Sequence, residues 1–393
     1  MTPLKVAVAG GSMGGLTAAL LLRDLGHDVT VYERSSVELE QRGAGIGFLP
    51  DSSRYLVERA GWSIDDIATT THSIRYLDRT SRVSIEIPKT YHFSSWNTVY
   101  RNLLSAFGRD RYLLGREVVG SDETADAVTV RFADGSDSTV DLLVAADGVG
   151  SSFRQRLMPE VRHQYAGYVA WRGMVPERDL PSEVAAHYDD AIVYFVFANS
   201  HILLYPIPGA DGSVARGDRL VNFVWYRNYL AGDDLGDLMV DTAGVQRDIS
   251  LPPGAVRSSH IAEMRATASA RLPEAISRVV TAVEQPFVQV VYDVEVEHMA
   301  FGRTCLIGDA GFVARPHAAA GTAKAAANAW ALADALARHA DVRDALAEWE
   351  IDQLELGRQL LARTRRVGLR SQFGVDWDPY DSDVFFRLRQ DGE

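Results

Sequence analysis

The chain has 393 residues, 47% of them apolar and 24% charged, with a formal net charge of −13. That length exceeds one ordinary core and implies two domains at about 150 residues each, while the acidic balance argues against a general nucleic-acid surface. One cysteine, Cys305, excludes an intrachain disulfide and a cysteine-based metal cluster, and the ten histidines carry no metal-ligand spacing.

Leu4 to Ala9 is a short run rich in Val and Ala, suited to a buried parallel strand. Leu16 to Leu25 is apolar on several faces, as a helix packed on a sheet is, and Gly26 fits its C-terminal cap. Val29 to Glu33 resumes a strand, so the period switches from 2 to about 3.6 and back, which predicts a βαβ unit. Ala127 to Phe132 and Ser138 to Ala145 predict a hairpin turning at Asp134-Gly135, its return strand ending in Ala146-Asp147-Gly148. From about Tyr165 to Val291, aromatic β-type segments dominate: Ile192 to Phe197, His201 to Ile207 and Leu220 to Tyr226. Arg303 to Ile307 predicts a last buried strand leading to Gly308-Asp309. Lys324 to Ala340 and Asp344 to Arg366 read as helices, and the tail from Ser371 carries weak signals. The expected fold class is α/β, with nucleotide-type βαβ material at both ends, a β-rich module inserted between, and C-terminal helices. No stretch approaches the roughly 18 apolar residues of a membrane span, and Met1 to Gly11 carries no signal-peptide pattern, so a cytoplasmic protein without a membrane partner is expected.

Three segments carry the chemistry. Gly10-Gly11-Ser12-Met13-Gly14-Gly15 lies between a strand and a helix, where a dinucleotide fold places Gly-x-Gly-x-x-Gly. Gly10 suits the tight turn, Gly15 suits close helix–strand packing, and the helix N-terminus faces a diphosphate. Ser12 replaces the second glycine. Glu33 closes the second strand about twenty residues on, where an acidic side chain takes a ribose hydroxyl pair. The second segment is Asp147-Gly148-Val149-Gly150-Ser151-Ser152-Phe153-Arg154; the third is Gly308-Asp309-Ala310 with Pro316, Gly321 and Thr322 downstream. Each follows an apolar strand, and strand-end loops of open α/β sheets are where ligands bind. By physics alone they are also ordinary turns.

Three such elements in this order resemble the FAD-dependent aromatic hydroxylases, single-component flavoprotein monooxygenases, over roughly Leu4 to Leu336. Asp147, Gly148, Ser151 and Arg154 complete that family's mid-chain motif, and Gly308, Asp309, Ala310, Pro316 and Gly321 keep its late one. Tyr165-Ala166-Gly167-Tyr168, Trp171-Arg172-Gly173, Tyr205 to Gly209 and Arg315 to Gly321 look like its dihydroxypyridine-hydroxylating subgroup. The resemblance implies a discontinuous Rossmann-like FAD-binding domain (residues 1–75, 98–164 and 291–340), a β-rich substrate domain (76–97 and 165–290) and a C-terminal helix and tail (341–393). It implies that Gly10, Ser12, Met13 and Gly15 hold the FAD diphosphate, and that Glu33 holds the adenosine ribose with Arg34 beside the adenine. Val118 would meet the adenine through its backbone, Arg101 would lie near the flavin chain, and Asp309 would bind the ribitol. Pro316, Gly321 and Thr322 would run along the isoalloxazine, and Asp147 and Arg154 would serve FAD and transient NAD(P)H. The family's further glycine, asparagine and aspartate in the late motif are here Ala319, Ala323 and Asn328, so no side-chain roles carry over there.

The activity so implied is hydroxylation of a small electron-rich aromatic or heteroaromatic ring with NAD(P)H and O2, through a flavin hydroperoxide. His317, beside Pro316, is the leading candidate base; His201 and Tyr205 are further candidates, and Tyr168, Trp225 and Arg172 could add substrate contacts. Core packing is the competing reading for each aromatic. A reductase or a halogenase on the same fold is the rival enzyme, although the seven tryptophans form no Trp-x-Trp pair. A non-catalytic FAD-fold protein is the rival outside enzymology. Oligomeric state is not legible; a homodimer is compatible with the sequence.

Overall fold

The computed structural model describes residues 2–40, 44–374 and 376–389, so residues 1, 41–43, 375 and 390–393 of the expected domains lie outside the described residues. Lys5–Ala9 is the centre of a parallel sheet, with Leu142–Ala145 on one side and Asp28–Tyr32 on the other. Thr304–Leu306 pairs in parallel with Leu142–Ala145, and Tyr112–Leu113 closes the opposite edge. Val6 to Ala9 and Leu142 to Ala145 are at most 2% exposed, as befits strands covered on both faces. Helices Met13–Asp24, Trp96–Phe107 and Gly321–Arg338 share one apolar core with this sheet.

A second sheet of nine strands is mostly antiparallel. Its middle is Gln164–Pro176, Leu220–Asn228, Ser200–Ile207 and Ala191–Phe197 in spatial order. Side chains alternate between its faces with period 2. Val169, Trp171, Phe223 and Trp225 enter a core capped by helices Ser258–Arg271 and Glu274–Ala282. Tyr168, Ala170, Leu203, Tyr205, Val224 and Tyr226 enter the other core, with Ala318, Ala320 and Leu360. The pleat therefore decides which strand residues face the first domain's loops.

The α/β class with a nucleotide-type sheet, a β-rich module and C-terminal helices stands. Details differ. The expected return strand Ser138 to Ala145 splits: Asp137–Val140 stays in a small three-stranded sheet, and Leu142–Ala145 crosses into the parallel one. The expected boundary at 75/76 cuts strand Thr69–Leu77, which belongs to the nine-stranded sheet along its whole length, as does Gly45–Gly47. Four α-helices, Ser182–Ala185, Asp233–Leu238, Ser258–Arg271 and Glu274–Ala282, also interrupt the segment read as β-rich. Among the described residues, no helix is long and apolar enough to cross a membrane.

The last helix, Val342–Phe373, ties the late loop to the rest. Trp349 Nε1 donates to the Asn328 carbonyl at 3.0 Å, and Asn328 Nδ2 donates to Gln353 Oε1 at 2.9 Å. Asn328 Oδ1 accepts from the Gly308 N–H at 2.9 Å. All of this is buried, so Asn328→Ala strands a donor and an acceptor. A loss of about 2–4 kcal/mol in urea unfolding is expected; a change below about 0.5 kcal/mol contradicts this reading of the chain of bonds.

Candidate active site

Gly10 turns with φ +110°, and a Cβ there would lie 2.3 Å from the Ala146 carbonyl oxygen, so the first and second motifs touch through a position only glycine fits. A Cβ on Gly15 would lie 1.9 Å from the Gly10 oxygen, which lets helix Met13–Asp24 start against its own strand. Ser12 stands at the N-cap without using its hydroxyl to cap a helix N–H, so first-turn donors face outward. Glu33 accepts from the Gly11 and Ser35 N–H groups at 2.9 and 2.8 Å.

Gly10, Gly11, Ser12 and Glu33 border a cavity of about 230 Å³ with Arg34, Val118, Asp147 and Gly148, whereas Gly15 packs behind it against Gly10 and Val8 and borders no cavity. A second cavity of about 380 Å³ is bordered by Met13, Asp309, Pro316, Gly321 and Thr322 from the first domain and by Arg172, Tyr205, Tyr226 and Gln289 from the large sheet. Ser12, Ala146 and Gly148 border both, so the two form one trough along the end of the parallel sheet. The donor set fits FAD. A glycine cradle stands where the diphosphate is expected, and Asp147 keeps Oδ1 buried and unpaired while Oδ2 accepts from the Ser152 N–H at 2.8 Å.

The Gly308-Asp309-Ala310 turn is clamped. Arg154 Nη1 donates to the Asp309 and Ala310 carbonyls at 2.9 Å each, and its other guanidinium nitrogen reaches the Val149 carbonyl and His163. Lys324 Nζ, buried, pairs with Asp309 Oδ1 at 2.8 Å and also donates to the Phe312 carbonyl. Two expectations are corrected here. Arg154 does not border the trough: backbone carbonyls engage its cation, which makes it a strut between two cofactor loops rather than a phosphate contact. Arg101 borders neither cavity; its guanidinium donates to the Ala210 carbonyl at 2.6 Å and faces Glu40 at 3.8 Å.

At the far end, Arg172 donates to Gln289 Oε1 and to the Gly45 carbonyl, both at 2.8 Å. Tyr205 stacks on Phe93 with centroids 4.1 Å apart, and burial pushes its phenol up, against a smaller downward pull from Arg172. Trp225 points to the opposite face and donates to Ser200 Oγ at 3.0 Å. His317 and His201 are corrected as direct bases. The Pro316–Ala318 turn rotates His317 behind the trough, where Nε2 meets Tyr168 Oη at 2.6 Å. Both histidines border a separate void of about 10 Å³, too small for a ring. Burial pushes His201 down to about 3, and burial followed by His201 and Arg315 pushes His317 well below its usual value. The sequence reading missed Gly45, Gly47, Trp96, Gln289, Arg315, Lys324 and Phe386. The alternating glycines at 45 and 47 were a visible signal; the others are ordinary residues that tertiary pairing places.

Two outcomes follow from this geometry. Asp309→Asn keeps the shape but removes the charge that faces Lys324 and is expected to meet the ribitol, so purified protein should carry less FAD per chain; wild-type flavin content contradicts the assignment. Both histidines are neutral in the fold, whereas in the unfolded chain they titrate near 6.5. Their stabilising contribution is full above that pH and is lost as pH falls toward about 3 for His201. For His201 this amounts to about 2 kcal/mol between pH 7 and 5. His201→Gln should flatten the pH dependence of urea midpoints, and an unchanged slope contradicts it.

A family model described as FAD binding domain-like matches residues 165–293. The chain is 36% identical over 385 residues to 2,6-dihydroxypyridine 3-monooxygenase of Paenarthrobacter nicotinovorans, covering 98% of this chain and 96% of that one. It is 28% identical to 3-amino-4-hydroxybenzoate 2-monooxygenase of Streptomyces cremeus, covering 98% and 92%. The solved structure of 2,6-dihydroxypyridine-3-hydroxylase from Arthrobacter nicotinovorans superposes with a TM-score of 0.94 at 35% identity, covering 100% and 99%. With a trough that fits FAD and relatives matched end to end, the chain belongs to the family of FAD-dependent aromatic-ring monooxygenases.

Proposed function

We propose that the protein hydroxylates a single hydroxypyridine-type ring, bound as its oxyanion, with NAD(P)H and O2 as co-substrates. The observation that carries this reading is an uncompensated charge. Three charged groups bordering the 380 Å³ cavity are Asp309, Arg315 and Arg172. Asp309 is neutralised by Lys324, and Arg315 by Asp293 at 2.8 Å. Among the described residues Arg172 meets neutral groups and no carboxylate: Gln289, the Gly45 carbonyl and the Tyr205 hydroxyl, with the Phe287 ring 6.0 Å away, so its charge is left to a ligand. A ring oxygen beside it is favoured in the ionised form, and an ionised hydroxyl makes the ring electron-rich. The 36%-identical relative acts, by its name, on 2,6-dihydroxypyridine.

FAD supplies the redox and oxygen-transfer chemistry when bound. The chain's own residues bind, orient and exclude water. Arg172 anchors the ring oxygen, and Tyr205, protonated because it is buried, offers a hydroxyl and a flat face. Tyr226 and Leu203 close the apolar wall. The buried histidines, neutral and behind Pro316, leave ionisation of the ring to the field of Arg172.

A panel of hydroxypyridines, phenols and hydroxybenzoates, scored by product rather than by NAD(P)H loss, tests the reading. Hydroxypyridines should lead; turnover confined to benzoates overturns it. Arg172→Met should weaken hydroxypyridine binding roughly tenfold to hundredfold with FAD content unchanged, from the loss of a charged hydrogen bond of about 1.5–3 kcal/mol. Wild-type affinity in that variant contradicts the anchor.

A further inference from the structure

The trough and the small void behind it are separated by a partition of four residues that border both: Leu203, Tyr226, Pro316 and Phe386. Leu203 and Tyr226 stand on neighbouring strands locked by a regular antiparallel ladder. Pro316 opens a turn whose neighbour Arg315 is held by Asp293. Phe386 is different. It comes from the tail beyond the last helix and sits in no strand or helix. It is nonetheless 8% exposed. Its backbone N–H donates to Tyr91 Oη at 3.0 Å. Its ring lies 5.1 Å from Tyr91 and 6.2 Å from Phe93, the ring that stacks on Tyr205. Upstream, Asp383 pairs with Arg366 at 2.8 Å, and Asp381 pairs with Arg370. The tail is thus strapped to the last helix, and one phenyl ring is inserted as a wall.

We propose that Phe386 sets the size of ring the trough accepts, holding it to one six-membered ring with its oxygen substituents. Behind the phenyl lie Trp377, Tyr194 and Val367 around the void, an aromatic and aliphatic lining. Truncating the phenyl joins the void to the trough. The group removed is larger than the benzo unit by which a hydroxyquinoline exceeds a hydroxypyridine, so the joined space takes a fused second ring. The sheet wall is held by its backbone ladder and Pro316 by the neighbouring Arg315–Asp293 pair, which makes the tail residue the adjustable one. This inference rests on the reading above that the open end of the trough takes a hydroxypyridine-type ring.

The test uses FAD-loaded wild type, Phe386→Ala and Phe386→Trp. A hydroxypyridine and a hydroxyquinoline are titrated against each, with binding read from the change in flavin absorption and turnover read from product. Phe386→Ala should shift the affinity ratio toward hydroxyquinoline by about tenfold or more, the scale on which apolar pockets discriminate by size. Phe386→Trp should weaken hydroxypyridine binding by a similar factor. If the alanine variant does not fold, Phe386→Leu should move the ratio the same way by a smaller factor. An unchanged ratio, or no hydroxyquinoline binding by any truncated variant, overturns the role of Phe386. A wild type that binds no hydroxypyridine, beside a truncated variant that gains hydroxyquinoline, overturns the substrate reading and keeps the wall.

Discussion

Three parallel strands, Lys5–Ala9, Leu142–Ala145 and Thr304–Leu306, are adjacent in one sheet, so the loops after them must emerge at one edge. Residues more than 290 positions apart in the chain become neighbours for that reason alone. The late loop has little regular structure of its own and is held by side chains from elsewhere: Arg154 on its carbonyls, Lys324 on Asp309 and Asn328 on the Gly308 N–H. Each of those groups is buried, so their pairing is obligatory. The loop's shape is thereby set by protein groups.

The large sheet supplies the other wall by its pleat. Even-numbered residues of Gln164–Pro176, from Tyr168 to Arg172, face the trough side, and Val169 and Trp171 face the helical core. Arg172 reaches the cavity as part of a regular strand and is therefore fixed in direction. Its charge is balanced by no carboxylate among the described residues, unlike that of Arg315, whose partner Asp293 also receives Arg365 at 3.1 Å. One arginine of the pair is a fastener between strand, loop and last helix; the other is left facing the ligand.

Much of this was legible in the sequence, and the reasons for the rest are specific. Periodicity located the strands and helices around Gly10, because buried parallel strands and their helices leave strong apolar patterns. It located the three loops too, since each follows such a strand. It did not reveal that Arg154 spends its donors on carbonyls, because residue type gives a cation but not its partners. His317 follows Pro316 in sequence, yet a short 3-10 turn sends it behind the trough, a reversal that local spacing does not encode. Helix Ser258–Arg271 has a weak apolar stripe, with Met264 and Ala268 its buried residues, and so gave no helical signal inside an aromatic segment. The tail looked featureless because Phe386 and Leu388 are buried singly, by contacts with distant strands and the last helix, and not by a repeating pattern.

The central claim is that one dinucleotide spans the trough, adenosine toward Glu33 and Val118, and flavin ring between Pro316 and the large sheet. A crystal structure of the FAD-saturated protein measures this directly. The account predicts the isoalloxazine in the cavity bordered by Asp309, Pro316 and Gly321, with the ribose within hydrogen-bond reach of Glu33. Flavin density elsewhere, or a ring separated from Pro316 by an intact wall of side chains, would contradict it.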